Sequence, residues 1–209
     1  MKRILVLSPH VDDGEIGCGG TIAKMVKDGS DVHYIAFSDA RVSLPKGWPK
    51  NTLAREAREA TKILGIPREN LTIFDFRTRN YPAQRQEILD ALIKLRKEIQ
   101  PNIVFTPSER DVHQDHQTIT WEVLRAFKRE GTTILGYEEP WNCFTFDTTA
   151  FVALETRHIK TKIDALKCYK SQAARGYLTK DFVEGLAHTR GTQIGTKYAE
   201  AFEVIRWVI

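Results

Sequence analysis

Short, largely apolar runs alternate along this chain with longer segments in which apolar residues recur at helical spacing. Apolar runs of about four to eight residues are typical of strands that are buried on both faces. Strands that alternate with helices predict a mostly parallel sheet with helices on both faces. We therefore expect residues 1–209 to form a single doubly wound α/β domain with a Rossmann-like arrangement.

The pattern places the individual elements. The predicted strands are residues 3–9, 31–37, 71–76, 103–105 and 132–137, with further strands at 151–154 and 201–209. The predicted helices span residues 16–27, 53–64 and 88–99, followed by one that passes through 119–127 and one through 159–166. Glycine or proline follows several of these segments and marks the turns between them.

The charge and the cysteine content restrict the partners and the compartment. The net charge of +4 comes from 31 basic and 27 acidic residues that are mixed along the chain, without a basic block that would bind nucleic acid. No apolar run approaches the roughly 18 residues of a membrane span. Three cysteines without C-x-x-C spacing favour reduced thiols and a cytoplasmic protein.

Two clusters of ionisable side chains follow predicted strands. The stretch 9–20 reads PHVDDGEIGCGG, and the stretch 111–116 reads DVHQDH. Because the carboxyl ends of parallel strands share one edge of a sheet, the two stretches should meet although about 100 residues separate them. The side chains expected to converge there are His10, Asp12, Asp13, His113, Asp115 and His116.

Two histidines and one carboxylate form a suitable catalytic zinc set with one position open for water. His10 and Asp13 can reach one ion from the same turn. His116 is expected in the first turn of the helix that passes through residues 119–127. Zinc lowers the pKa of bound water to about 7. Asp12 and His113 are then left to act as general base and as proton donor or oxyanion stabiliser.

Asp115 has two predicted roles that stay open at this point. It is a suitable N-cap for the helix that follows it. It could instead accept a hydrogen bond from a histidine ring and fix the orientation of that ring.

Structural explanations compete with these chemical ones. Asp13 could cap the first helix, and His10 could be an ordinary loop histidine. Cys18 could ligate a metal, but a small buried residue at a helix start is the stronger interpretation. The glycines of residues 17–20 lack G-x-G-x-x-G spacing, so close packing of the helix on the sheet explains them better than dinucleotide binding.

Arg55 and Glu138 are weaker candidates for substrate binding. Arg55 lies off the apolar stripe of its helix, where an ion pair with Glu59 is the alternative. Glu138 and Glu139 end the fifth strand and could either hold substrate hydroxyls or face solvent. The loops at residues 39–50, 77–85 and 138–147 should determine which substrate fits.

At this point the sequence resembles the LmbE-like, or PIG-L, zinc-dependent de-N-acetylases. The family motif P-H-P-D-D-x-E-x-G-x-G-G matches residues 9–20, with Val11 in place of the second proline, and H-x-D-H matches residues 113–116. Weaker likenesses lie at residues 55–56, 64–65, 171–172 and 198–202.

The resemblance implies zinc bound by His10, Asp13 and His116, with Asp12 as general base. It also implies that His113 stabilises the tetrahedral intermediate or protonates the leaving amine, and it suggests a homo-oligomer. Val11 removes no ligand, so it leaves these assignments intact.

The leading hypothesis is therefore a cytoplasmic zinc-dependent hydrolase whose partner is a small N-acetylated amino sugar or glycoconjugate. A non-haem Fe²⁺ oxygenase could use the same two histidines and carboxylate. A non-catalytic glycan-binding protein with a structural metal is a third hypothesis. Release of a primary amine distinguishes the hydrolase from both.

Overall fold

A computed structural model describes all residues from Met1 to Ile209. Its strands are β1 (Arg3–Ser8), β2 (Asp31–Ala36), β3 (Leu71–Ile73), β4 (Ile103–Pro107), β5 (Thr133–Tyr137), β6 (Ala150–Leu154) and β7 (Tyr198–Arg206). Its α-helices are α1 (Asp13–Lys27), α2 (Thr52–Ile63), α3 (Arg85–Ile99), α4 (Gln114–Ala126), α5 (Thr156–Leu166) and α6 (Lys180–Gln193). Helix α6 is the one α-helix that the apolar pattern does not predict.

The seven strands form one sheet in the order β3-β2-β1-β4-β5-β7-β6. Strands β1 to β5 pair in parallel, while β7 is antiparallel to both of its neighbours. One apolar cluster joins the sheet to α1, α2 and α5, and a second joins it to α3 and α4. The predicted α/β fold, with a mostly parallel sheet and helices on both faces, is confirmed.

The sheet order brings the two ionisable stretches together. From β1 the chain moves outward to β2 and β3, and it then returns to place β4 on the other side of β1. Ligands of such sheets bind outside the carboxyl ends of the strands at this switch point. The loops that follow β1 and β4 meet there, although His10 and His116 are 106 positions apart.

Helix α1 differs from its predicted form in two ways. It starts at Asp13 rather than Ile16, and it is broken at Cys18. Past the break, the buried carboxylate of Glu200 accepts the backbone N–H groups of Gly20 and Thr21 at 3.0 and 2.7 Å. These donors have no partner within a regular helix start, so Glu200 acts as the cap of the second half of α1.

Lys162 also binds backbone and side-chain groups at the break in α1. Its ammonium donates to the backbone oxygen of Ile16 and to the carboxylate of Glu200, both at 2.6 Å. This ion pair is buried, and each partner also satisfies backbone groups of α1. Such additional hydrogen bonds are what compensate a buried pair for its lost hydration.

The glycines of α1 permit close contact with the sheet, as predicted. A Cβ atom on Gly17 would lie 2.2 Å from Cδ2 of Tyr137. We expect Gly17→Ala to lower the free energy of unfolding by about 1–3 kcal/mol, because overpacking displaces a buried ring. Gly185 of α6 has open space around it, so Gly185→Ala should raise stability by about 0.5–1 kcal/mol.

Urea unfolding of the two alanine variants measures both effects. A Gly17→Ala protein as stable as the parent chain would contradict the close packing of α1 on β5. The Gly185→Ala protein serves as the control for the intrinsic helix propensity of alanine.

The helices also bear on the membrane question. None of them combines the length and hydropathy that a membrane crossing requires. The cytoplasmic location itself stays a prediction.

Candidate active site

A cavity of about 150 Å³ opens at the switch point of the sheet. Five of the predicted site residues line it, namely His10, Asp12, Asp13, His113 and His116. Each of the three loops predicted to determine substrate choice also contributes lining residues. The linker of residues 167–179, between α5 and α6, adds a further wall that the sequence did not suggest.

The three predicted metal ligands each direct one atom toward a common point. His10 Nδ1 lies 3.1 Å from Asp13 Oδ2, and His116 Nε2 lies 3.4 Å from each of these two atoms. Atoms bound tetrahedrally to zinc at about 2.0–2.1 Å lie roughly 3.3–3.4 Å from one another. The spacing of the three atoms therefore fits a small divalent metal ion.

Glu139 extends the set of candidate ligand atoms. Two overlapping groups, His10 with His113 and His116, and Asp13 with His116 and Glu139, each keep their ligand atoms within 4.8 Å. Oxygen Oε1 of Glu139 is buried without a hydrogen-bond partner, an arrangement that a cation would relieve. Burial, followed by repulsion from Asp13, raises the pKa of Glu139 well above its usual range.

Carboxylates hold the second nitrogen of both ligand histidines. His10 Nε2 lies 3.0 Å from Asp115 Oδ2, and His116 Nδ1 lies 2.8 Å from Asp111 Oδ2. Such contacts fix the tautomer and orientation of a ligand ring. They leave His10 Nδ1 and His116 Nε2 as the nitrogens that face Asp13.

The charges around these histidines favour a cation. Burial lowers the pKa of His10, but Asp13 and Asp115 outweigh burial and raise it to about 9. Burial likewise opposes the charged form of His116, yet Asp13 and Glu139 raise the pKa of its ring well above the usual value. A metal ion would take the place of the extra proton on each histidine ring, because the same carboxylates attract both.

Asp115 is not the N-cap of α4, and this corrects one of its two predicted roles. The cap is His113, whose Nδ1 accepts the backbone N–H of Asp115 at 3.2 Å. The buried Asp115 carboxylate instead accepts the backbone N–H groups of Arg79 and Tyr81 at 2.6 and 3.3 Å. Together with its contact to His10, this placement suits the other predicted role, the orientation of a histidine ring.

Asp12 lies beside the converging ligand atoms but makes no capping hydrogen bond to α1. Burial and the neighbouring charge of Asp13 raise its pKa to about 6, although His10 and Arg175 act in the opposite direction. A carboxylate whose pKa lies close to the working pH can both accept and return a proton.

His113 presents a proton donor to the cavity. Its Nδ1 accepts a backbone N–H, so the neutral ring carries its proton on Nε2, an assignment inferred from this bonding pattern. Burial and the neighbouring His116 and His10 lower its pKa. The ring is therefore neutral at pH 7, with its Nε2–H available for a ligand.

Arg55 lies outside the cavity. Its side chain is exposed on α2, whereas Leu53 lines the cavity and Glu56 is buried. The Glu56 carboxylate accepts the backbone N–H and the hydroxyl of Ser171 at 2.9 and 2.6 Å. Helix α2 therefore anchors the 167–179 linker through Glu56, and Arg55 is not retained as a substrate-binding residue.

Glu138 also lies outside the cavity, which corrects the second substrate-binding assignment. Its carboxylate forms a bidentate ion pair with Arg190 at 2.7 and 2.6 Å. Successive residues at a strand end point to opposite sides, so the neighbouring Glu139 faces the cavity instead.

Tyrosine hydroxyls hold the loop between β1 and α1 from several directions. They come from β2, from β5, from a 3-10 turn before α3 and from the segment after α5. Within the loop, Tyr81 donates to Pro9 O at 2.5 Å, and Tyr34 and Tyr169 donate to Val11 O at 3.1 and 2.7 Å. Tyr137 donates to Leu7 O at 2.9 Å, at the end of β1 that leads into the loop. The loop that carries His10 and Asp12 is thus fixed by the rest of the fold.

Glu15 belongs to the same network. Its buried carboxyl meets the hydroxyls of Tyr34 and Tyr169, which also lie against the backbone oxygen of Val11. Burial raises the pKa of Glu15 to about 8, against the opposing effect of the two hydroxyls. Because its contacts are to the hydroxyls that hold Val11, Glu15 is a structural group.

Residues 5–127 match a family model described as PIG-L: GlcNAc-PI de-N-acetylase, and the match includes both ionisable stretches. The chain belongs to the PIG-L family. The predicted family resemblance is confirmed over more than half of the chain. Membership identifies the protein as a hydrolytic N-deacetylase, an enzyme that cleaves an amide carbon–nitrogen bond.

Individual relatives of this PIG-L protein extend the comparison. The diacetylchitobiose deacetylase of Thermococcus kodakarensis is 25% identical over 229 aligned positions, which cover 98% of this chain and 84% of the relative. The N,N'-diacetylchitobiose deacetylase structure of Pyrococcus horikoshii has a TM-score of 0.82 at 24% identity, covering 98% of this chain and 84% of that one.

A second solved structure shares the fold of this PIG-L protein but is named for a different activity. GalB, the 4-carboxy-2-hydroxymuconate hydratase of Pseudomonas putida, has a TM-score of 0.81 at 22% identity, with 100% of this chain and 98% of GalB covered. At this level of identity the likeness is one of fold alone. The substrate has to be argued from the residues of the site.

Proposed function

We propose that this PIG-L protein removes the acetyl group from an N-acetylated amino sugar or glycoconjugate with a divalent metal held by His10, Asp13 and His116. Zinc suits this nitrogen and oxygen donor set best, and Fe²⁺ is the other candidate. The observation that carries the proposal is the convergence of one atom from each ligand within 3.4 Å. The diacetylchitobiose named for its relatives supports an acetylated sugar.

The metal would act as a Lewis acid that polarises the amide carbonyl and lowers the pKa of a water. Asp12 accepts a proton from that water as its oxygen attacks the carbonyl carbon. The Nε2–H of His113 donates to the carbonyl oxygen as negative charge develops there. The carbon–nitrogen bond then breaks, and the proton held by Asp12 passes to the leaving nitrogen, which yields a free amine and acetic acid. At neutral pH the acid gives up its proton, so the products are acetate and the protonated amine.

The remaining assignments follow from the same arrangement. Asp111 and Asp115 orient the two ligand histidines, so Asp115 is a positioning residue rather than a proton carrier. One continuous seven-stranded sheet supports treatment of residues 1–209 as a single domain. A homo-oligomer remains the expectation from the family resemblance.

Primary-amine release from a panel of N-acetylglucosamine derivatives tests the proposal. We expect release by zinc-loaded protein, its loss after chelation, and its recovery when zinc is restored. Oxygen consumption or water addition to an unsaturated acid without amine release would instead support an oxygenase or a hydratase. Binding of the sugars without any turnover would support the glycan-binding hypothesis.

A further inference from the structure

One wall of the cavity has no part in the mechanism proposed above. It consists of Trp141, Arg175 and Tyr177, here called the aromatic wall. The rings of Trp141 and Tyr177 stack with centroids 4.0 Å apart and planes inclined by 16°. The Arg175 guanidinium donates to the Tyr177 hydroxyl and lies 5.7 Å from the centre of that ring.

The aromatic wall faces the same space as the predicted general base. Asp12 and Asp13 line the cavity with it, and both carboxylates attract the guanidinium of Arg175. A substrate whose acetamide reaches the ligand cluster therefore shares the cavity with Trp141, Arg175 and Tyr177.

Packing from other elements keeps the wall in place. The Phe182 ring of α6 lies 5.9 Å from that of Trp141. The linker that carries Arg175 and Tyr177 is held to α2 by the two hydrogen bonds between Ser171 and Glu56. The wall is therefore formed before any ligand binds, which lowers the entropic cost of binding.

The chemistry of the wall suits a sugar ring. Trp141 and Tyr177 each cover one face of the other's ring but remain only half-buried. The exposed part of this stack offers apolar contact area, and the C–H faces of a pyranose are flat and apolar. Arg175 has five N–H donors in a planar fork, and the Tyr177 hydroxyl occupies one of them. The remaining donors suit ring hydroxyls, whereas a small linear acetamide offers neither a flat face nor hydroxyls.

We propose that the aromatic wall is the sugar-binding surface of this enzyme and that Trp141 and Arg175 determine its preference for pyranose-borne acetamides. This proposal rests on the proposed deacetylase function. It assigns binding, and no proton transfer, to the three residues of the wall.

Tryptophan fluorescence tests binding without turnover. Four tryptophans emit in this protein, and chitobiose, the fully deacetylated disaccharide, can be titrated into the zinc-loaded enzyme without reacting. We expect an emission change that disappears in Trp141→Phe and persists in Trp121→Phe. Trp121 is the matched control because it is 58% exposed on α4 and lies outside the cavity.

Steady-state kinetics test the same residues in the reaction. With diacetylchitobiose, Trp141→Ala should raise KM by roughly tenfold, the scale of a lost aromatic contact, while kcat and zinc content stay near those of the parent. Arg175→Lys should also raise KM, because an ammonium lacks the planar fork. Trp121→Ala should leave both constants unchanged.

The outcomes separate this proposal from the proposed function. Unchanged KM values in both Trp141→Ala and Arg175→Lys, in an enzyme that releases amine, would contradict the sugar-binding role of the aromatic wall. The proposed deacetylase function would remain. A Trp141-dependent emission change in a protein that releases no amine from any acetylated sugar would support the sugar-binding role of the aromatic wall. It would contradict the proposed deacetylase function. A fall in kcat alone would also count against a binding role.

Discussion

An Asp12→Asn enzyme is expected to keep its metal and to lose turnover by roughly 10²–10⁴-fold, the usual contribution of a general base. Asparagine has almost the same shape as aspartate but cannot accept a proton at neutral pH. Asp12 makes no capping hydrogen bond to α1, and it is not one of the three converging ligands. Its replacement should therefore leave the fold and the metal ligands unchanged.

Two measurements on the same preparation check this result. Amine release gives kcat, and elemental analysis gives the metal content per chain. Asp164→Asn is the control for the loss of a carboxylate, because Asp164 pairs with Lys167 on the surface. Near-normal turnover in Asp12→Asn would remove Asp12 as the base, and loss of the metal would make it a ligand.

A His116→Ala protein is expected to lose the metal and, with it, essentially all deacetylation. The substitution removes Nε2, which lies 3.4 Å from both of the other converging atoms. It also leaves the buried carboxylate of Asp111 without its ring partner, so the variant must be shown to be folded by circular dichroism. Zinc titration against a competing chelator then measures affinity directly.

A graded series makes this test more specific. Asp111→Asn keeps the ligand but weakens its support, and such changes reduce metal affinity by about 10–100-fold. His33→Ala is the histidine control, because His33 pairs with Asp31 on β2 and does not line the cavity. Stoichiometric zinc in a folded His116→Ala protein would exclude His116 from the ligand set.

The convergence of the two ionisable stretches could be predicted because it depends only on strand order. Once β1 and β4 are parallel and adjacent, the residues that follow them must meet. Strand order alone does not determine which of two consecutive residues after a strand faces the cavity. Glu138 pairs with Arg190 while Glu139 enters the cavity, a difference of one residue that follows from the local direction of the chain.

Other features had no sequence signal of sufficient strength. Helix α6 carries glycines at positions 185 and 191 and only a weak apolar stripe, so its pattern did not indicate a helix. Aspartate is a common cap, so the sequence leaves Asp115 with two possible roles. The structure excludes the cap, because the His113 ring accepts that hydrogen bond instead. The aromatic wall joins Trp141 to residues more than 30 positions away, and no local pattern links them.

The tyrosines that hold the loop after β1 have a consequence for the choice of cation. Calcium needs six to eight oxygen ligands at about 2.3–2.6 Å and a site that can expand around it. The backbone oxygens of Pro9 and Val11 in this loop accept hydrogen bonds from tyrosines of three separate elements, so the loop cannot open in this way without breaking buried hydrogen bonds. We therefore expect the site to bind small divalent ions such as zinc in preference to the larger calcium ion.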